Sequence, residues 1–382
     1  MQMRLNAPVE MAWHLAQSFN ERADAADQSG VLPPEDIREM RESGYLNLSV
    51  PKEYGGLGLP LKDCVAAQIM LAQGSVSTAM VAGMHMHLFG NAGENRPWPE
   101  QTFERMCRAA SRGGLFNSAA SEPELGSPSR GAFFQTYAES HEDGWLVNGR
   151  KTWTTGGKHL THLVVRLMIG NDPGAFLIPA NAPGIRWEET WGSHQLSLRA
   201  SDSHDLILEN VHVSQANMLE RGKREERNPN AWFPMIMASV YLGAALAARD
   251  AVIRFALGRV PTALGKPIAS LPKIQRQIGE IDVQLQAAQN LLYQAAALWT
   301  GASGSHVHYP TVVAAKHFAV ETANQVTDKA LHIAGGTSLS RELPLERYFR
   351  DVRAGLMQPP SGDTALEIIG RAAIQNLSGE GA

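Results

Sequence analysis

The sequence predicts an α+β protein: a helical domain, a small β domain and a second helical domain, in that order. Three observations carry the prediction. Apolar spacing near 3.6 residues gives way at about residue 114 to short strand-like runs, and it returns at about 223. Gly, Asn, Pro and Asp punctuate the middle stretch at intervals that suit a compact β domain. At 382 residues the chain is also long for one core. The expected domains are residues 1–113, 114–222 and 223–382.

In the first zone a helix opens at Asp36, behind Pro33-Pro34, and stops at Gly44. Pro51-Lys-Glu-Tyr-Gly-Gly-Leu-Gly-Leu59 is a turn-rich connector. One long helix of small residues is expected over about 61–89, holding Met80, Met84 and His85, and Pro97 and Pro99 precede a short helix near 100–110. In the middle zone the strand-like runs are 133–138, 145–147, 163–168, 175–178 and 205–208. Asn148-Gly149 between two of them predicts a two-residue hairpin turn. The arm from Arg150 to Thr155 brings Trp153, hydroxyl groups and then Gly156-Gly157 to one place. Such a strand suits a planar ring with polar edges, as a flavin has, and it equally suits a plain hairpin with a buried Trp. The last zone offers helices over 233–257, 274–300, 309–333 and 366–377.

Composition removes several function classes. A net charge of −4, with no basic cluster interleaved with aromatics, leaves nucleic acid without an electrostatic footprint. Cys64 and Cys107 build neither a disulfide framework nor a metal spacing, and the 13 histidines are scattered, with His306 and His308 a surface pair. A positively charged leader and an apolar run of membrane length are not evident, so the expected location is cytoplasmic.

Five motifs in order resemble the acyl-CoA dehydrogenase superfamily, over nearly the whole chain: the connector at 51–59, Ser121-Glu-Pro-Glu-Leu-Gly-Ser127, Trp153-Thr-Thr155, Leu198-Arg-Ala-Ser201, and Ala334-Gly-Gly336 with Tyr348-Phe-Arg-Asp351. The resemblance implies a helical N-terminal domain, a middle β-barrel and a C-terminal four-helix bundle, assembled as a homotetramer or homodimer. It also implies FAD, or FMN in the oxygen-using relatives, between barrel and bundle. Ala120 and Ser121 would face the pyrimidine edge, Ser127 the pyrophosphate, Trp153 the ring and Thr155 the N5 atom. Arg259 would reach a neighbouring subunit's cofactor, Gly335 and Gly336 would admit the dinucleotide half, and Ser361 counts among the contacts. His332 and Pro272 stand where the family usually has Gln.

The resemblance fails at the reaction itself. Dehydrogenating an acyl thioester needs a carboxylate to take the α-proton. The family's usual position for it is Pro359 here, the alternative position is Phe233, and the neighbouring substrate arginine is Pro234. Three explanations stay open. A displaced base is one, at Asp363, Glu367 or Glu122. The second is a two-component monooxygenase, which receives reduced flavin from a reductase and forms a C4a-hydroperoxide, with His85 or His87 as proton donor. Spaced by two on a helix, these histidines point about 200° apart, so one at most lines a site. A non-catalytic partner subunit is the third. Dehydrogenation, with electron-transfer flavoprotein as partner, is the parent activity.

Overall fold

The computed structural model describes residues 7–125, 133–222, 228–299, 301 and 305–378, with the backbone alone at 305–307. The N-terminal domain is five helices: α1 (Ala7–Ser29), α2 (Pro34–Glu42), α3 (Leu61–Ala72), α4 (Val76–Asn95) and α5 (Glu100–Ser111). The single helix expected over 61–89 is therefore corrected to two. Gly74 lies so close to α1 that any Cβ there would overlap the Ala16 carbonyl. The chain turns at that point, and Ser75 Oγ then accepts the Thr78 N–H at 3.2 Å to cap α4.

The middle domain is one eight-stranded sheet. Its strands are β1 (Phe116–Ala119), β2 (Tyr137–His141), β3 (Gly144–Thr154), β4 (His162–Ile169), β5 (Asp172–Pro179), β6 (Ile185–Glu188), β7 (His204–Ser214) and β8 (Met218–Arg221). The hydrogen-bonded order is β6-β7-β3-β2-β4-β5-β8, with β1 parallel on β4. Two expectations are corrected. Asn148-Gly149 is not the hairpin turn: β3 runs through it, and the register against β7 slips there. Gly149, at φ +147°, passes so close to Thr136 that no Cβ would fit. The chain reverses instead at Glu142-Asp143, between β2 and β3. Of the 133–138 run, only Tyr137 and Ala138 enter a strand.

The C-terminal domain packs α6 (Trp232–Gly258), α7 (Pro272–Leu298) and α8 (Ser305–Ala334), followed by α9 (Leu345–Asp351), α10 (Ala354–Met357) and α11 (Gly362–Ser378). α6 is long and apolar enough to cross a membrane, which corrects the reading that no run had that length. With 83% of that window inside the protein, α6 is the core helix against which α3, α4, α7 and α8 pack.

α4 joins the domains. On one side Phe89 meets Phe116 of β1, ring centroids 5.1 Å apart. On the other, Gly83 faces Ile236 and Met237 of α6, and Gly90 faces Trp232. A second clasp joins two of the quoted motifs. The Asp351 carboxylate accepts the Leu198 N–H at 2.8 Å, and Ser197 Oγ donates to the Asp351 carbonyl at 2.9 Å. Burial pushes the Asp351 carboxyl up to about 6.

Candidate functional site

The site starts from the short loop after β1. Ser121 accepts the Thr152 N–H through its carbonyl at 2.9 Å, which sets that loop beside the end of β3. Glu122 fixes it there. Its buried carboxylate accepts Lys151 Nζ at 2.6 Å and the backbone N–H groups of Gln135 and Thr136 at 2.6 and 3.0 Å. The ammonium and these N–H groups hold the carboxyl below its usual range despite burial. Glu122 is thus held as an ionised anchor by three donors, which makes it a structural carboxylate rather than the displaced base considered for it.

Trp153 sits in a second bulge of β3, at φ +55°, with its side chain 62% exposed. The buried-core alternative for this residue is corrected. Held out of the strand at left-handed backbone, the indole presents an open face on which a flat ligand can lie. Thr155, next along, has its carbonyl bonded by Asn117 Nδ2 at 2.8 Å. Its hydroxyl lies 2.9 Å from Ser203 Oγ, which lies 2.7 Å from Ser201 Oγ. One hydroxyl offers one proton and two lone pairs, so Thr155 retains capacity for a ligand.

The two histidines of α4 have separate fates. His85 is fully buried, with Nε2 2.9 Å from the Leu46 carbonyl and Nδ1 accepting the Phe116 N–H at 3.1 Å. Both nitrogens are committed, which fixes the proton on Nε2 and makes His85 a strut between α4 and β1. His87 is 8% exposed and neither nitrogen has a partner. Burial drives it down to about 3, so the ring is neutral. Phe233 meets it edge-on with centroids 5.0 Å apart.

His87 lines a cavity of about 290 Å³ between the C-terminal half of α4, strands β1 and β4, and the approach to α6. Ser118, the strand neighbour of the Asn117 that holds Thr155, lies in the same wall. Sequence reasoning missed the other polar walls: Asn91, Asn95, Arg166 and Asn230. Two signals were present. Asn91 and Asn95 follow His87 at intervals of four on one helix face, and Arg166 interrupts an apolar strand.

Pro359 is exposed, and Asp363 and Glu367 are exposed on the first turns of α11. Asp363 and Ser361 line a separate cavity of about 280 Å³ with Lys316 and Glu321. The Lys316 ammonium, itself buried, donates to the carbonyls of Gly355, Gln358 and Pro360 at 3.1, 2.9 and 3.0 Å and so ties down the segment that carries Pro359. Gly335, at φ +60°, and Gly336 have open space where a Cβ would point. Arg259 follows α6 directly, its carbonyl accepting the Ile268 N–H at 2.9 Å. Ala120 is half-buried beside Ser121, and Ser127 lies outside the described residues. No group of three metal-ligating side chains occurs among the described residues.

An uncovered indole, a hydroxyl with spare capacity and a loop pinned beside them fit a flavin ring, and the two orphaned His87 nitrogens fit a reactant next to it. Comparison with known proteins agrees on the fold. Residues 10–95, 117–211 and 235–357 match the families described as acyl-CoA dehydrogenase N-terminal, middle and C-terminal domains. The chain is 36% identical over 372 residues to "Putative acyl-CoA dehydrogenase YdbM" of Bacillus subtilis (strain 168), covering 96% of this chain and 97% of that one. Among solved structures it is similar to butyryl-CoA dehydrogenase from Megasphaera elsdenii, at TM-score 0.83 and 24% identity over 98% and 100% of the two chains. It is similar too to FMN-bound TdsC from Paenibacillus sp. A11-2, at TM-score 0.85 and 22% identity over 97% of each. At these identities the two structures speak for the fold alone.

Proposed function

The chain belongs to the acyl-CoA dehydrogenase family of flavin-dependent oxidoreductases, and from that premise we propose that it is a two-component monooxygenase fed by a separate flavin reductase. One observation carries the reading. A neutral, unpartnered imidazole, His87, faces a polar cavity, while both family positions for the catalytic carboxylate hold Pro359 and Phe233.

In this reading Ser121, Trp153 and Thr155 hold the flavin ring, with Ala120 at its polar edge. Gly335, Gly336, Arg259 and Ser361 serve the rest of the cofactor, FMN in an oxygenase or FAD if the dinucleotide half is used. A reduced flavin held by these residues would supply the two electrons needed to split O₂ between substrate and water. His87 presents one N–H and one lone pair at every working pH, so it donates a hydrogen bond to an oxygen in the cavity and accepts one in return. Phe233 packs against the edge of the imidazole and fixes its orientation. Ser203 orients the Thr155 hydroxyl. Leu366, Ile374 and Leu377 leave α11 with exposed apolar side chains, which supports a homo-oligomer, a tetramer being usual in the family.

A second reading, acyl-CoA dehydrogenation with electron-transfer flavoprotein as acceptor, is favoured by the full-length similarity to YdbM. It needs Asp363 or Glu367 as base. Two measurements separate the readings. Under the oxygenase reading, protein, flavin and a reductase incorporate ¹⁸O from ¹⁸O₂ into product. Flavin bleaching by butyryl-CoA or octanoyl-CoA without oxygen, and no ¹⁸O in any product, would overturn it.

A further inference from the structure

We propose that the cavity at α4 selects a compact oxyanion, a carboxylate or sulfonate head on a short carbon body, and excludes fatty acyl thioesters. The reading above says what happens to this ligand; the inference says which ligand binds.

Size is the first argument. About 290 Å³ lies at the lower edge of small-molecule sites, roughly 300–1,000 Å³. The second argument is an excess of donors. Asn228 Nδ2 donates to Asn95 Oδ1 at 3.2 Å, and Asn95 Nδ2 donates to Asn91 Oδ1 at 2.9 Å. This row ends on the Asn91 amide nitrogen, one turn from His87. Asn230 uses its oxygen on the Phe233 N–H at 3.2 Å, which leaves its nitrogen as the polar group for the cavity. α6 also begins here, bringing the positive end of a 27-residue helix to the wall.

The third argument is charge. Arg166 holds Glu220 only at 3.4 and 3.5 Å, and Glu220 also takes the Trp98 Nε1–H at 3.0 Å. The acidic group in the wall is thus served twice, while the guanidinium carries five N–H donors, more than that pairing uses. His87, nine-tenths buried and aimed at the same space without a partner, shows that the lining is completed by something it does not itself contain. A ligand head rich in acceptors meets the amides, the guanidinium and the His87 N–H together. An alkyl chain would strand the amides.

The test is calorimetric titration of the full chain, with and without flavin, using butyrate, propane-1-sulfonate, butyramide and octanoyl-CoA as probes. The two anions should bind, with the neutral amide about tenfold weaker or more. Asn91→Leu and Arg166→Gln should each weaken the anions about tenfold. Arg166→Gln can unfold the chain by stranding Glu220, so Asn91→Leu decides. Equal affinity for butyramide, tighter binding of octanoyl-CoA, no anion binding, or an Asn91→Leu protein unchanged towards anions overturns the inference. Because binding is read without turnover, a chain that binds these anions yet incorporates no oxygen refutes only the oxygenase reading. Oxygen transfer confined to apolar substrates refutes only this one.

Discussion

Replacing Glu122 with Ala removes the acceptor of three hydrogen bonds at once. The Lys151 ammonium, fully buried and 2.6 Å from the carboxylate, loses its counter-charge, and the N–H groups of Gln135 and Thr136 lose their acceptor. Breaking a buried pair from one side costs about 3–5 kcal/mol, and each stranded donor adds about 1–3 when nothing relaxes. The terms do not add in full, because Lys151 can shed its proton: burial already brings it down to about 8. The expected loss is about 4 kcal/mol, read as a lower urea midpoint at unchanged slope. Flavin affinity should fall alongside, since Glu122 pins the loop bearing Ser121. A double variant, Glu122→Gln with Lys151→Met, strands no charge and should recover most of the loss. Because the native carboxyl lies below its usual value of 4.5, its contribution is present above that pH and is lost as pH falls through the native value. Glu122→Ala should therefore flatten the acid limb of the stability curve. A variant within about 1 kcal/mol of the parent, with its acid limb unchanged, would refute the anchoring argument.

His87→Phe should slow oxygen transfer about a hundredfold or more, within the roughly 10²–10³ range for loss of a fixed hydrogen-bond donor, while flavin binding persists. With the native ring held down to about 3, turnover should show no histidine step between about pH 5.5 and 8; a step that disappears in this variant would contradict its neutrality. Trp153→Leu should change stability by no more than about 0.5 kcal/mol, because the ring is exposed, yet weaken flavin binding about tenfold by fluorescence titration. Asp351→Asn keeps the acceptor for the Leu198 N–H and removes the titration. In the parent the carboxyl stands at about 6, so its contribution is complete below the ordinary value near 4 and is lost as pH rises through 6. Urea midpoints from pH 4 to 7 should slope less in the variant than in the parent.

Much of the fold was legible because the bundle helices bury a face at steady helical spacing: 233–257, 274–300 and 309–333 became α6, α7 and α8 with ends a few residues away. The misses share a cause. Asn148-Gly149 has the local chemistry of a tight turn, but the need at Gly149 is set by Thr136, a residue on another segment. The break at Gly74 is likewise imposed by Ala16 of α1. At the site, residue types pointed to α4 and to the β3 corner. Local sequence could not tell His85 from His87, because the difference lies in what each meets: a strand with an N–H to give, or an empty space. Asn91, Asn95 and Arg166 went unread because polar residues on a helix or strand usually face water.

The strut at His85 has one more implication. The Ser121–Trp153 corner hangs from β1 and β3, while the α4 cavity is walled by α4, β1, β4 and the approach to α6. Where α4 meets β1, the His85 imidazole ties Leu46 to Phe116 beside the Phe89–Phe116 ring contact. Under the proposed reading, replacing a side chain on the α4 or α6 wall leaves this tie in place, so ligand choice and flavin binding are separable by mutation.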